Sequence, residues 1–275
     1  VCSNYTFESA PYTWEVLKNF KGGKMIFTNP NTPIKCGGAP QKIMYLSADY
    51  LKKHKLTEKS EVHFFSGGGV IFGVTKYADV LNEVIKNYGI KTHFHKNLVE
   101  IDGPKKLAYF ETTNEKGESE IVKESFDMIH VTPPQSAPDF IKNSPLAMKD
   151  NPLGWVDLDK YTLQHKTYKN IFGCGDAGNT PNAKTGAAVR KQAPVLVKNL
   201  LSLMKSQSLA EKYSGYGSCP LITGYGKLVL AEFDYDNEPM ETFPFNQAKE
   251  RYSMWLLKTK VLPWMYWNKI LKGTA

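Results

Sequence analysis

Several features that would identify common classes of protein are absent from the sequence. No apolar run approaches the ~18–20 residues that a membrane-spanning helix needs, which excludes a helical transmembrane protein. The four cysteines are too few and too dispersed for a disulfide-stapled secreted scaffold. None of them stands in a CxxC pair, so we predict no structural zinc and no other metal. The chain begins at Val1 without a charged and apolar leader, so we expect a processed protein or an internal piece of a longer one.

The composition is that of a chain that buries a core and carries excess positive charge. Hydrophobic residues make up 41% of the 275 residues and charged residues 23%, which excludes disorder as a global description. The 35 Lys and Arg residues against 27 Asp and Glu residues give a formal charge of +8. That excess favours an anionic partner such as a lipid surface, a nucleic acid or an acidic metabolite, and the sign alone does not choose among them.

The first half of the chain has the alternating pattern of a βαβαβ unit. Residues with the apolar spacing of strands lie at 24–29, 61–65 and 91–94, and residues with the spacing of helices lie between them at 41–54 and 77–88. We therefore predict an α/β fold with a doubly wound parallel sheet, and Gly89 as the end of the second helix. Further elements are predicted as a hairpin of strands 107–112 and 120–123, strand 128–132, a connection between domains over 135–152, strand 170–173 and a helix over 185–204.

A Gly-x-Gly-Asp motif, Gly173-Cys174-Gly175-Asp176, follows the predicted strand 170–173 and precedes a helix that begins with small residues. Glycines let the backbone approach a cofactor closely, and the Asp176 carboxylate accepts hydrogen bonds from sugar or ribityl hydroxyls. The positive end of the following helix stabilises an anionic ring. The combination favours a flavin site, and the alternative is an ordinary glycine-rich turn of an α/β fold.

Cys36 lies between the first strand and the first helix, where a nicotinamide-binding domain carries Gly-x-Gly-x-x-Gly. That fingerprint is absent here. A thiol at a helix start between Lys35 and Lys42 is biased towards the thiolate, which is the nucleophilic form. The alternative is an inert small residue in a turn.

Cys219 lies in a second loop that favours reactivity, Tyr216-Gly217-Ser218-Cys219-Pro220. It forms a redox pair with Cys36 only if the fold brings the two sulfur atoms within disulfide reach.

The C-terminal stretch 251–272 interleaves aromatic residues with lysines. Aromatic rings at headgroup level beside lysines that extend to water are typical of an interfacial, monotopic membrane anchor. The residues concerned include Tyr252, Trp255, Lys258, Trp264 and Trp267, and Pro263 divides the stretch into two short helices. The alternative is a helix packed on the protein, and no nucleic-acid-binding fold is recognisable.

Long segments of this chain resemble the sulfide:quinone oxidoreductases of the mitochondrial, animal-type branch. The segments are TPIKCGGAPQKIMYLS, YGSCPLITGY, HVTPP, GWVDLDK and LAEFDYDNEPMETFPF, and the resemblance covers nearly the whole chain. It implies an enzyme of the mitochondrial inner membrane that oxidises hydrogen sulfide to a cysteine persulfide and passes two electrons through FAD to ubiquinone. It also implies that a small acceptor (glutathione, sulfite or cyanide) removes the sulfane sulfur, and it allows a homo-oligomer.

The resemblance implies roles for individual residues as well. Cys36 and Cys219 match the two redox cysteines. Gly175, Asp176 and Lys184 match flavin-contacting positions, and Cys174 matches no redox cysteine, so we interpret it as a packed residue near the flavin. Lys42 and Lys258 match lysines near the flavin and quinone sites.

The implied architecture has two dinucleotide-binding, Rossmann-like domains and a C-terminal membrane-interface region. The boundaries are a remnant of the FAD domain over 1–20, a second Rossmann-like domain without the NAD fingerprint over 21–132, a return to the FAD domain over 133–214, and the quinone and membrane region over 215–275. Because nothing before Cys36 supplies the Gly-x-Gly-x-x-Gly that holds FAD in the family, we expect the chain to lack the N-terminal FAD-binding βαβ segment. Two alternatives stay open: an NADH:quinone oxidoreductase-like flavoprotein, and an inactive membrane-associated fragment.

Overall fold

The computed structural model describes residues 1–274, and they form two compact units. The first unit holds residues 1–33, 38–134 and 221–229. The second holds residues 34–37 and 135–220, and the chain from Leu230 onward. Each unit is therefore assembled from segments that are distant in sequence.

The first unit is built on a four-stranded parallel sheet in the order β3-β2-β1-β7. Its strands are β1 (Gly23–Asn29), β2 (Ser60–Ser66), β3 (Lys91–His93) and β7 (Met128–His130), connected in part by α2 (Ala39–Lys53) and α3 (Thr75–Tyr88). The run Met25-Ile26-Phe27 is fully buried, as expected of a parallel strand covered on both faces. The predicted βαβαβ order is confirmed, and Gly89 ends α3 in the left-handed conformation at φ 66°.

A three-stranded antiparallel sheet follows β3 in the chain. It consists of β4 (Asn97–Asp102), β5 (Leu107–Thr113) and β6 (Ser119–Ser125). Phe110 on β5 belongs to the same buried cluster as Ile26 and Phe65 of the parallel sheet. The predicted hairpin is confirmed, whereas β4 was not predicted.

The N-terminal residues belong to the first unit. Cys2 forms a parallel bridge to His130, with Cys2 N donating to Ile129 O at 2.9 Å and Val131 N donating to Cys2 O at 2.9 Å. The helix α1 (Ala10–Asn19) follows. Residues 1–20, which we assigned to a remnant of the FAD domain, thus group with the sheet of 21–132 through main-chain hydrogen bonds.

The second unit combines a long helix, α5 (Gly186–Met204), with extended segments held by isolated bridges. The helix predicted over 185–204 is confirmed, and Thr185 caps it by accepting from Ala188 N at 3.2 Å. The strand predicted at 170–173 is wrong, because only one isolated bridge, Gln164 to Phe172, forms there. The stretch 135–152 holds α4 (Asp139–Lys142) and part of a core, with Ala137 and Ile141 packed in one buried cluster.

A two-stranded sheet and a short helical segment complete the chain. The strands are β8 (Gly217–Gly224) and β9 (Lys227–Phe233), neither of which was predicted. Their tip, 221–229, groups with the first unit, so the predicted boundary at 215 does not coincide with the division of the structure.

The final helical segment is α6 (Tyr252–Leu256), a π-helical turn over Leu257–Val261, and α7 (Leu262–Asn268). The two short helices are present, but the π-helical turn of Leu257–Val261 joins them, so Pro263 lies in the first turn of α7 and does not divide the stretch. Across residues 1–274, no helix combines the length and the hydrophobicity that crossing a bilayer requires.

Candidate redox site

Cys36 and Cys219 lie side by side in the second unit. Their Sγ atoms are 3.8 Å apart although the residues are 183 positions apart in sequence. A disulfide bond is ~2.05 Å long, so the two sulfur atoms are in contact and are not joined by a disulfide. The sequence predicted a redox pair on condition of this proximity, and the structure meets that condition.

The two cysteines are presented by different kinds of backbone. Cys36 is half-buried in the short segment Ile34–Gly37, and α2 begins three residues later, as the predicted helix start requires. Cys219 is the third residue of β8 and is completely buried, so the loop predicted around it is wrong. One thiol is therefore reachable from solvent, and the other is shielded from it.

The Gly-x-Gly-Asp motif forms a tight turn whose conformation requires glycine. Gly175 opens a 3₁₀ turn at φ 64°, and a Cβ there would lie 2.9 Å from Cγ2 of Val189 on α5. Gly175 N donates to Gln192 Oε1 at 2.8 Å, which ties the turn to α5. Cys174 precedes the turn and is half-buried, and burial raises the pKa of its thiol.

Asp176 brings the glycine turn and the Cys36 segment together. Its carboxylate is 58% exposed and lies 3.4 Å from the Lys35 amine. Lys35 N also donates to Gln135 Oε1 at 2.6 Å, which fixes the backbone beside Cys36. In the sequence Lys35 is recognisable only as a charge beside a thiol. Its ion pair with Asp176 has no local signal, because the two residues are far apart in the chain.

Lys184 is the second cation of this group. Its amine donates to Thr180 O at 3.0 Å and lies 5.0 Å from the centre of the Trp155 ring. Burial lowers the pKa of Lys184 to about 8, an effect that Asp176 opposes and Lys35 reinforces. A buried amine with that pKa changes charge close to physiological pH.

The beginning of α5 leaves space beside these charges. A Cβ on Gly186, the first residue of the helix, would meet no atom within 4 Å. A 19-residue helix that starts at open space offers its positive end to an anion. Asp176 as acceptor, Lys184 as cation and this helix start form one donor and acceptor set in the second unit.

The other predicted site residues lie on two helical segments. Lys42 is half-buried on α2 in the first unit. On the final helical segment, Trp255 and Lys258 are half-buried, whereas Tyr252, Trp264 and Trp267 are exposed. Within residues 1–274, no cluster of His, Cys, Asp and Glu side chains has the arrangement of a metal site.

A set of buried polar side chains near the Gly175 turn was not predicted from the sequence. Gln192 is buried on α5, and Asn182 and Tyr213 are buried in the segments on either side of that helix. The one sequence signal was the pair Gln192 and Asn199, two amides placed two helical turns apart in an otherwise amphipathic helix.

Comparison with known proteins confirms the resemblance to the mitochondrial sulfide:quinone oxidoreductases. The chain is 48% identical to the sulfide:quinone oxidoreductase of Mus musculus over 271 residues, which cover 98% of this chain and 59% of the mouse protein. It is 47% identical to the Dictyostelium discoideum enzyme over 274 residues, covering 99% of this chain and 59% of that protein. The chain therefore spans about three-fifths of the length of the relatives it matches. No protein-family model matches it.

The fold is also found in a solved structure. The sulfide:quinone oxidoreductase of Aquifex aeolicus superimposes with a TM-score of 0.78 at 18% identity, covering 99% of this chain and 64% of that chain. At that identity the likeness shows the fold alone, and it confirms the predicted α/β fold with a parallel sheet.

Proposed function

We propose that this chain forms part of a sulfide:quinone oxidoreductase and carries its thiol chemistry. Both curated relatives described above have that name, and the chain matches them over almost its whole length. The observation that carries the proposal is the contact of Cys36 Sγ with Cys219 Sγ at 3.8 Å, because thiol–disulfide chemistry requires two sulfur atoms within such reach.

The reaction begins with Cys36 and Cys219 joined as a disulfide. Hydrosulfide attacks the Cys219 sulfur, the bond between the two cysteines breaks, and Cys36 leaves as a thiolate. A new sulfur–sulfur bond forms on Cys219, which becomes a persulfide. The sulfide sulfur is thereby oxidised to sulfane sulfur, and the original disulfide takes up its two electrons.

The persulfide is then passed on. An acceptor such as glutathione, sulfite or cyanide attacks the outer sulfur of the Cys219 persulfide and leaves with it, and Cys219 returns to the thiolate. When the two thiolates rejoin as a disulfide they release two electrons. The burial of Cys219 shields the persulfide from water, and the half-buried Cys36 stays accessible.

FAD fits the donor and acceptor set of the second unit. Asp176 accepts hydrogen bonds from cofactor hydroxyls, Lys184 supplies positive charge, and the space at Gly186 admits an anionic group beside the helix start. FAD, when bound there, supplies the two-electron acceptor that links the thiols to ubiquinone. Cys174 packs nearby without a redox role, and the resemblance adds Lys42 as a flavin-side charge.

The final helical segment is the proposed contact with the membrane and the quinone. Tyr252, Trp264 and Trp267 present exposed aromatic surface, and exposed lysines lie close to them in the chain. Ubiquinone is too apolar to be drawn from water, so its entry requires a surface that sits in the headgroup layer. We assign Trp255 and Lys258 to the quinone side of that segment and the mitochondrial inner membrane as its location.

The test is sulfide-dependent reduction of a ubiquinone analogue by the full-length, FAD-loaded protein. We expect turnover with sulfide, thiocyanate production when cyanide is the acceptor, and no turnover when NADH replaces sulfide. Turnover with NADH and none with sulfide would assign the protein to the NADH:quinone class instead.

A further inference from the structure

The hydroxyl of Tyr213 lies at the meeting point of three segments in the second unit. Tyr213 is 1% exposed, and its hydroxyl donates to the backbone carbonyl of Tyr216. Asn182 Nδ2 donates to the same hydroxyl at 2.8 Å, and the Gln192 side chain lies close to it. Three polar groups thus surround one buried oxygen, and two of them are hydrogen-bonded to it.

Each partner leads to a different part of the candidate redox site. Gln192 Oε1 accepts from Gly175 N at 2.8 Å, so it holds the turn that carries Asp176. Asn182 stands two residues before Lys184. Tyr216 stands three residues before Cys219, immediately ahead of β8.

Helix α5 gives this network a rigid support. Asn199 lies two turns beyond Gln192 and is buried, and its amide exchanges hydrogen bonds with the backbone of Glu211, at 2.9 Å to the carbonyl and 3.1 Å from the N–H. The buried cluster that holds Tyr213 packs with Val195 and Leu196 of α5, so the chain over 211–213 is attached to that helix at both of its ends. A segment held at two points transmits a displacement at one end to the other, because buried polar networks have little freedom to relax.

We propose that Tyr213 is a positioning residue that fixes Cys219 relative to the Gly175–Asp176 turn and Lys184. The role rests on the proposed function, since it concerns the thiol pair of that reaction. Strand β8 starts at Gly217 and rises ~3.3 Å per residue, so it carries any shift of the Tyr216 carbonyl directly to Cys219. The sulfur atoms must close from 3.8 Å to bonding distance, and a small misplacement of Cys219 opposes that closure.

A neighbouring tyrosine provides a matched control. Tyr235 packs edge-to-face on Tyr213 with ring centroids 5.7 Å apart, and its hydroxyl donates to Lys160 O at 2.7 Å. Tyr235→Phe removes a hydroxyl from the same aromatic cluster without touching Asn182, Gln192 or Tyr216. A general loss of packing or stability would affect both variants alike.

The experiment measures the effective concentration of the Cys36 and Cys219 thiols in the full-length protein, by equilibration with reduced and oxidised glutathione. We expect Tyr213→Phe to lower it roughly three- to tenfold, the change that loss of one ordinary hydrogen bond produces. Tyr235→Phe should match the wild type. In the activity assay, Tyr213→Phe should lower kcat with the KM for quinone unchanged.

Equal effective concentrations in Tyr213→Phe and Tyr235→Phe would overturn the proposal. If Tyr213→Phe does not fold, Asn182→Ala takes its place, because it removes one donor to the same hydroxyl, and an unchanged value there would overturn the proposal equally. Absence of sulfide oxidation in the wild type would refute the proposed function alone, since the glutathione equilibrium does not depend on sulfide.

Discussion

The two site cysteines differ in exposure, and this difference separates their chemistry. Cys219 is fully buried and Cys36 is half-buried, with the Lys35–Asp176 ion pair beside it. In the proposed reaction the persulfide forms on Cys219, where burial keeps water away, and Cys36 is released as the thiolate. A substitution of Cys36 therefore removes the residue with which Cys219 forms the disulfide.

Cys36→Ser should abolish sulfide-dependent quinone reduction and leave folding and flavin binding intact. A hydroxyl fits the same turn but is too weak a nucleophile at neutral pH and forms no disulfide. The measurement is turnover together with flavin absorbance near 450 nm. Cys2→Ser is the control, because Cys2 is buried in the first unit and donates to Ile129 O, a bond that serine retains. Near-normal turnover of Cys36→Ser would refute its role.

The Lys184 amine makes the stability of the folded protein depend on pH, and its lowered pKa gives the direction of the change. Its pKa is lowered by burial to about 8, so between pH 8 and 10.5 the unfolded chain binds a proton that the folded chain does not. Stability must therefore rise with pH in that window relative to a variant without the amine. Between pH 7.5 and 9.5 we expect the free energy of unfolding of the wild type to rise by roughly 1–2 kcal/mol more than that of Lys184→Met. Denaturant unfolding of both proteins at the two pH values measures this difference. An equal change in the free energy of unfolding of the two proteins would contradict the prediction.

Secondary-structure elements with a regular burial pattern were predictable from the sequence, and irregular ones were not. β1 and β2 are short segments rich in apolar residues, and α3 has one apolar face and a glycine at its end, so the local pattern alone located them. β8 contains Pro220, which argues against a strand, and it was missed. The segment 170–173 has apolar residues but leads into the Gly175 turn, so the strand predicted there is wrong.

The exposed tryptophans of the final helical segment are expected to bind a membrane surface. Trp264 and Trp267 are 57% and 66% exposed, so their replacement removes membrane-inserting surface without disturbing a core. We expect Trp264→Ala/Trp267→Ala to lower co-sedimentation with vesicles of cardiolipin and phosphatidylcholine by roughly tenfold. The control is Phe140→Ala, an aromatic residue on α4 that is 77% exposed.

Salt should weaken vesicle binding of the wild type only in part. The exposed Lys260, Lys269 and Lys272 each add ~1 kcal/mol of attraction to an anionic surface, and salt screens this term. The aromatic insertion is not screened. Equal sedimentation of the tryptophan variant and the wild type would assign the segment to ordinary packing.

At the scale of the whole molecule, buried neutral histidines make the protein sensitive to acid. His63, His93 and His130 all lie in the first unit, and burial lowers the pKa of each. His63 Nδ1 lies 3.0 Å from His93 Nε2, a contact that needs one proton between the two nitrogens, and His130 Nε2 accepts from Asn4 N at 3.1 Å. Protonation of both facing nitrogens of the His63–His93 pair, or of Nε2 of His130, would break these contacts.

We expect His130→Gln to reduce the acid sensitivity of the fold. The pKa of His130 is about 4 in the folded protein against 6.5 in the unfolded chain, so the unfolded chain binds more protons and stability is lost as the pH falls below 6.5. The loss from this group is roughly 2 kcal/mol between pH 7 and pH 5. Denaturant unfolding at both pH values should show a smaller loss for His130→Gln, and the same loss as wild type for His54→Gln, an exposed position.

The sequence could identify both site cysteines but not their contact. Each was recognisable from its neighbours, whereas the distance between their sulfur atoms depends on every element that lies between them in the chain. The same holds for Lys35 and Asp176, which are oppositely charged residues without any local signal of pairing.

The separation of 183 residues between Cys36 and Cys219 also sets an order in time. At a synthesis rate of about 5–20 residues per second, roughly 10–40 s pass between the appearance of the first cysteine and the second. Throughout that interval Cys2 is available for a disulfide with Cys36, and Cys174 joins it before Cys219 is made. A newly made chain must therefore remain reduced until β8 is complete if Cys36 is to pair with Cys219.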